Sequence, residues 1–127
     1  MTFIDELNHV STRLDVALQH QKLPSCVQPD YLEEAVKAYP ARGGKRLRPA
    51  LCAWFCGAAG GDPEKTTRIG LAIELYHNWT LIHDDIIDDD VLRRGGKTSH
   101  VMLGEAGLRL GMVDDEAARV FGRNMAI

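Results

Sequence analysis

The sequence predicts an all-α protein, and three observations predict it. Apolar residues recur at spacings of three, four and seven in one segment after another, the period of a helix with one buried face. Prolines and glycines mark the breaks between those segments. No strand alternation, internal repeat or low-complexity tract occurs in the 127 residues.

The first helix runs from Thr2 to about Gln21 and carries Phe3, Leu7, Val10, Leu14 and Leu18 on one face. Thr2 and Asp5 stand as a capping pair. A link through Pro24 and Cys26 reaches Pro29, suited to the first position of a second helix whose face is Leu32, Ala35, Val36 and Tyr39. Pro40 closes that helix, and Glu33 and Glu34 form its wet side. A basic loop, ARGGKRLRP from Ala41 to Pro49, follows. Its glycines permit close approach of a ligand, and Arg42, Lys45, Arg46 and Arg48 at a helix start make an anion site. A solvated basic loop is the plainer reading, and the P-loop pattern is absent.

Pro49 opens the third helix, through Leu51, Trp54 and Phe55 to about Ala59, where Gly60 and Gly61 stop it. Asp62 and Pro63 then act as cap and first residue of a fourth helix reaching Asp90, on the order of 40 Å long at ~1.5 Å per residue. His77, Thr80 or Leu81, Asp84 and Asp88 share one stripe of it. Gly95 and Gly96 mark a turn, a short segment spans Val101 to Leu110, and Asp114 caps a last helix. The acids at Asp114, Asp115 and Glu116 are explained by that cap and the helix dipole.

The bulk numbers bound the function. The length fits a single domain, 45% hydrophobic and 26% charged content is that of a soluble globular protein, and a net charge of −3 gives no nucleic-acid footprint. No apolar run is long enough to span a membrane, and MTFIDELNHV lacks the regions of a signal peptide, so the expected compartment is cytoplasmic. The three cysteines, Cys26, Cys52 and Cys56, have no CxxC or zinc spacing, and Cys52 and Cys56 read as core-lining thiols.

The chemistry concentrates in LIHDDIIDDDVLRRGGKTSH, Leu81 to His100. Five aspartates, Asp84, Asp85, Asp88, Asp89 and Asp90, gather near a helix C-terminus, where the macrodipole already disfavours negative charge. Two readings stand: a solvated acidic helix end, or carboxylates balanced by a hard cation such as Mg²⁺, which takes one or two carboxylates and completes its shell with water and phosphate.

GGKRLRP at Gly43 to Pro49 and HNWTLIHDDIIDDDVLRRG at His77 to Gly95, in that order, resemble the N-terminal half of a trans-type polyprenyl diphosphate synthase, and the resemblance covers essentially the whole chain. It implies an all-α fold of long antiparallel helices, the isoprenoid synthase fold, and a homodimer. It also implies a Mg²⁺-dependent prenyl transfer that adds isopentenyl diphosphate to an allylic diphosphate. Asp84, Asp85 and Asp88 match the first aspartate-rich motif and its Mg²⁺ ligands. Lys45, Arg48 and His77 match residues that hold isopentenyl diphosphate, Arg93 an allylic-diphosphate ligand and Arg94 an isopentenyl-diphosphate ligand. Trp79 and Thr80 occupy the positions that tune product length, and a bulky Trp79 implies a short product.

Lys97 stands where the family usually has proline, and the family's second aspartate-rich motif is missing. Residues 1–127 are therefore expected to be the N-terminal portion of such a synthase domain, with little or no condensation activity alone. A non-catalytic subunit or fragment that binds diphosphate or a partner synthase is the alternative. A small Mg²⁺-dependent nucleotide pyrophosphohydrolase would need helical ExxE pairs, where this chain has only Glu33 and Glu34.

Overall fold

The computed structural model describes residues 2–20 and 27–127. Among them it holds six α-helices, α1 Phe3–His20, α2 Asp30–Ala41, α3 Leu47–Ala58, α4 Thr67–Asp88, α5 Ser99–Arg109 and α6 Asp115–Ala126, with one short hairpin, β1 Leu92–Arg93 and β2 Gly96–Lys97. The all-α expectation holds. The link through Pro24 and Cys26 lies outside the described residues. The chain divides into two compact units, Met1–Lys22 with Gly43–His77, and Leu23–Arg42 with Asn78–Ile127.

In the first unit the expected capping pair forms: Thr2 N donates to Asp5 Oδ2 at 2.8 Å and Asp5 N to Thr2 Oγ1 at 3.2 Å. α1 buries Val10 and Leu14, and Val10 packs with Ala50 and Ala53 of α3, flanked by Leu7 and Trp54. Burying each of Val10 and Leu14 contributes roughly 1.5–3 kcal/mol. Leu51 and Phe55 are exposed instead, because close helix packing here takes the small residues of α3. α3 also begins earlier than expected, at Leu47, after Arg46 in the left-handed region (φ 50°). Pro49 fits within its first turn, where N–H groups have no intrahelical acceptor.

Asp62 caps as expected, accepting from Glu64 N at 3.0 Å, but the first turn after Pro63 is 3₁₀ (Pro63–Thr66) and α4 proper starts at Thr67. Its 22 residues span about 33 Å at ~1.5 Å each, shorter than expected. Cys52 and Cys56 are only partly buried free thiols, not core residues.

In the second unit α5 and α6 cross closely, because glycines remove the side chains between them. A Cβ on Gly122 would stand 2.6 Å from Gly104 N, and one on Gly104 3.1 Å from the Ala118 carbonyl oxygen. α2 lies against α5 through buried Ala35 and Tyr39, and Pro40 sits in its last turn. Asp114 caps α6 as expected, accepting from Ala117 N at 2.7 Å.

The expected Gly95–Gly96 turn is a hairpin tip, which sequence periodicity did not reveal because each strand is two residues long. Arg93 pairs with Gly96, leaving Arg94 (φ 50°) and Gly95 (φ 75°) as a two-residue loop with both φ angles positive, the turn that suits strand twist.

Candidate functional site

The aspartates of the second unit divide by burial. Asp85 is 0% exposed, whereas Asp84 and Asp88, on the same helix, face solvent. A fully buried carboxylate must be paired, and Arg93 does this from the hairpin. Its Nε lies 2.6 and 2.8 Å from the two Asp85 oxygens, and its Nη2 bonds Oδ1 as well. The carboxylate in turn holds the Arg93 guanidinium above its ordinary value. Tyr39 of α2 donates its hydroxyl to Asp85 Oδ2 and accepts from Ser99 N at 3.3 Å. Burial, followed by that carboxylate, pushes the Tyr39 phenol up to about 12.

Asp89 and Asp90 follow the end of α4. Asp89, at φ 57°, pairs with Arg123 at 3.4 Å, while Arg123 Nη2 donates to the Ile86 carbonyl at 3.0 Å and so offsets the negative helix end. Asp90 N donates to the Asp85 carbonyl, and the Asp90 carbonyl accepts from Thr98 Oγ1 at 2.8 Å. Among the described residues Asp84 and Asp88 have no ion pair, and no group of three or more His, Cys, Asp or Glu side chains converges as a metal cage. Two exposed hard-oxygen donors at one helix end still fit Mg²⁺, which is held by one or two carboxylates plus phosphate oxygens rather than by an all-protein cage.

The four cations expected to form one anion site have separate duties. Arg46 is buried to 1% and pairs with Glu74 at 2.7 Å and Asp15 at 2.9 Å in the first unit. Arg42, in the second, donates through Nη1 to the carbonyls of Lys97 (2.7 Å) and Arg93 (3.3 Å), bracing the hairpin. Gly96 has no side chain because a Cβ there would overlap the Arg42 guanidinium. Lys45 and Arg48 remain exposed, and Arg48 Nη1 lies 3.2 Å from His77 Nε2, so two of the four residues matched to isopentenyl diphosphate adjoin.

Arg94 is exposed at the hairpin tip and donates to the Tyr39 carbonyl at 3.4 Å. Trp79 is exposed and packs against His83 with ring centroids 4.4 Å apart and the rings tilted by 58°, next to half-buried Thr80. Tyr39 and Arg42 were not singled out for the acid site by sequence. The available signal was Tyr39's place on the buried face of a helix that leads directly into the basic loop.

Fold and site together define an all-α protein whose long helix ends in aspartates, one locked to an arginine and two open to solvent. A family model described as polyprenyl synthetase matches residues 29–113, and the chain belongs to that family. It is 41% identical over 107 residues to geranylgeranyl diphosphate synthase of Methanosarcina mazei, covering 84% of this chain and 32% of that protein. It is 39% identical over 100 residues to geranylgeranyl pyrophosphate synthase of Geoglobus acetivorans, covering 79% and 30%. Over 74 residues it is 49% identical to geranylgeranyl diphosphate synthase of Saccharolobus solfataricus, covering 58% and 22%. The chain thus spans about a third or less of the curated relatives' length. No solved structure matches it.

Proposed function

We propose that the chain carries the first aspartate-rich part of a Mg²⁺-dependent prenyltransferase that joins isopentenyl diphosphate to an allylic diphosphate. The observation that carries this reading is the division of the acids at the end of α4: Asp85 locked to Arg93, with Asp84 and Asp88 open to solvent. Family membership and the named activity of the relatives support it.

Asp84, Asp85 and Asp88 would form the cation site, Asp84 and Asp88 presenting oxygens directly and Asp85 contributing its negative charge while it stays paired with Arg93. The bound ion supplies positive charge to the departing diphosphate. Arg93 adds fixed positive charge for the allylic diphosphate, worth most where the donor is preorganised. By the family resemblance Lys45, Arg48 and His77 are isopentenyl diphosphate ligands, and Arg94 is assigned the same ligand. The allylic C1–O bond breaks, the isopentenyl double bond attacks that carbon, and a proton leaves. Trp79 and Thr80 set product length.

Among the described residues no helix is long and apolar enough to cross a membrane, and the proposed setting is a cytoplasmic homodimer. Exposed Phe55, Ile69 and Tyr76 in the first unit support a covered apolar face. The 127 residues alone bind diphosphate with little or no turnover.

Incubation with Mg²⁺, labelled isopentenyl diphosphate and each allylic primer, beside a nucleotide-hydrolysis control, tests the reading. Prenyl product, or Mg²⁺-dependent diphosphate binding without turnover, agrees with it. Nucleotide hydrolysis without either would overturn it.

A further inference from the structure

We propose that Tyr39 is a positioning residue that sets the Arg93 guanidinium, through Asp85, for a diphosphate. The proposal rests on reading this as a diphosphate site. The Tyr39 side chain is 1% exposed, so its ring alone would serve the core, and a phenylalanine would do that equally well. Its hydroxyl is nonetheless buried and doubly used. It donates to Asp85 Oδ2 and accepts from Ser99 N at the start of α5.

A carboxylate held only by Arg93 can turn about its last torsion and carry the guanidinium with it. The Tyr39 hydroxyl removes that freedom, because it fixes Oδ2 while Arg93 Nε and Nη2 engage the carboxylate from the hairpin. Nη1 is left for a ligand. The Tyr39 ring acts on the other end of the same residue. The Arg42 guanidinium lies 5.7 Å from the ring centroid and grips the Arg93 carbonyl, so one side chain steadies both Arg93's backbone and its head group. Tyr39 lies outside the aspartate and arginine motifs, on a different helix.

The test uses the 127-residue chain with Tyr39→Phe and Arg93→Ala variants and magnesium pyrophosphate as probe. Calorimetry should give an affinity weakened about tenfold in Tyr39→Phe, the scale of one hydrogen bond to a charged group, with the helical circular dichroism retained. The Arg93 Nε–H proton resonance should shift in that variant, a signature that loss of core packing elsewhere does not produce. In the unsubstituted chain the resonance should persist when magnesium pyrophosphate is added.

Equal affinity in Tyr39→Phe, with binding lost in Arg93→Ala, would overturn the assignment while leaving the diphosphate site intact. An unfolded Tyr39→Phe chain would overturn it too, since the hydroxyl would then serve the fold. So would loss of the Nε–H resonance on ligand addition, because Arg93 would have left Asp85. No binding by the unsubstituted chain would overturn the diphosphate reading and this one with it.

Discussion

Arg93 grips Asp85 with two nitrogens, Nε at 2.6 and 2.8 Å from its oxygens and Nη2 alongside, and the carboxylate so held is fully buried. Adjacent aspartates therefore do different work. Removing one partner of a buried pair leaves an uncompensated charge, which costs about 3–5 kcal/mol. Arg93→Ala should lower the urea unfolding free energy by an amount near the bottom of that range, since Arg93 is partly exposed. Asp84→Asn and Asp88→Asn, both at exposed positions, should leave stability within about 0.5 kcal/mol of the parent. Denaturant titration of the three variants decides this.

The same contrast holds within the basic loop. Arg46 is buried between Glu74 and Asp15, whereas neighbouring Lys45 is exposed. Arg46→Ala strands the Glu74 charge and should destabilise the chain by about 3 kcal/mol or more. Lys45→Ala should leave the thermal midpoint nearly unchanged and weaken isopentenyl diphosphate binding. Calorimetry and thermal melts on both variants separate a structural cation from a ligand-binding one.

At the hairpin, Gly96→Ala would drive a methyl group into the Arg42 guanidinium, which is fixed by the carbonyls of Arg93 and Lys97. We expect a loss of about 1–3 kcal/mol, the usual range for overpacking. Arg42→Ala should absorb much of the second loss, so a double-mutant cycle should show coupling of at least about 0.5 kcal/mol. Additive effects would mean that Arg42 does not occupy that space.

His100 gives the chain a pH dependence with a defined sign. Burial holds its imidazole below the ordinary value of 6.5, and the Asp89 carboxylate opposes this only in part. Above that value the folded and unfolded chains both carry it neutral, so its contribution is fully present. Below it the unfolded chain takes up the proton first and stability is lost. The urea midpoint should fall between about pH 7 and pH 5.5, and less steeply in His100→Gln.

Much of this architecture is legible in the sequence because it is local. The Thr2–Asp5 and Asp114 caps depend on residues three apart, and both form as read. The Asp62 cap is equally local, although the competition between 3₁₀ and α geometry after Pro63 leaves no periodic trace. The motif residues Lys45, Arg48, His77, Asp84, Asp85, Asp88, Arg93 and Arg94 are identifiable in the sequence through the family resemblance. What sequence does not show is which charges face inward. Arg46 and Arg48 are two residues apart in one basic run, yet only Arg46 meets a buried carboxylate, supplied by Glu74 from α4. Asp84 and Asp85 differ likewise by one helical step of about 100°, and the tertiary placement of Tyr39 and Arg93 decides which is buried.

The most direct measurement is equilibrium binding of an allylic diphosphate to the 127-residue chain, with and without Mg²⁺, beside the Asp84→Asn/Asp88→Asn double variant. The expected result is binding that requires Mg²⁺ and weakens at least about tenfold in the double variant, a loss of ~1.4 kcal/mol or more, with the thermal midpoint unchanged. Binding of equal strength without Mg²⁺, or in the double variant, would contradict the account.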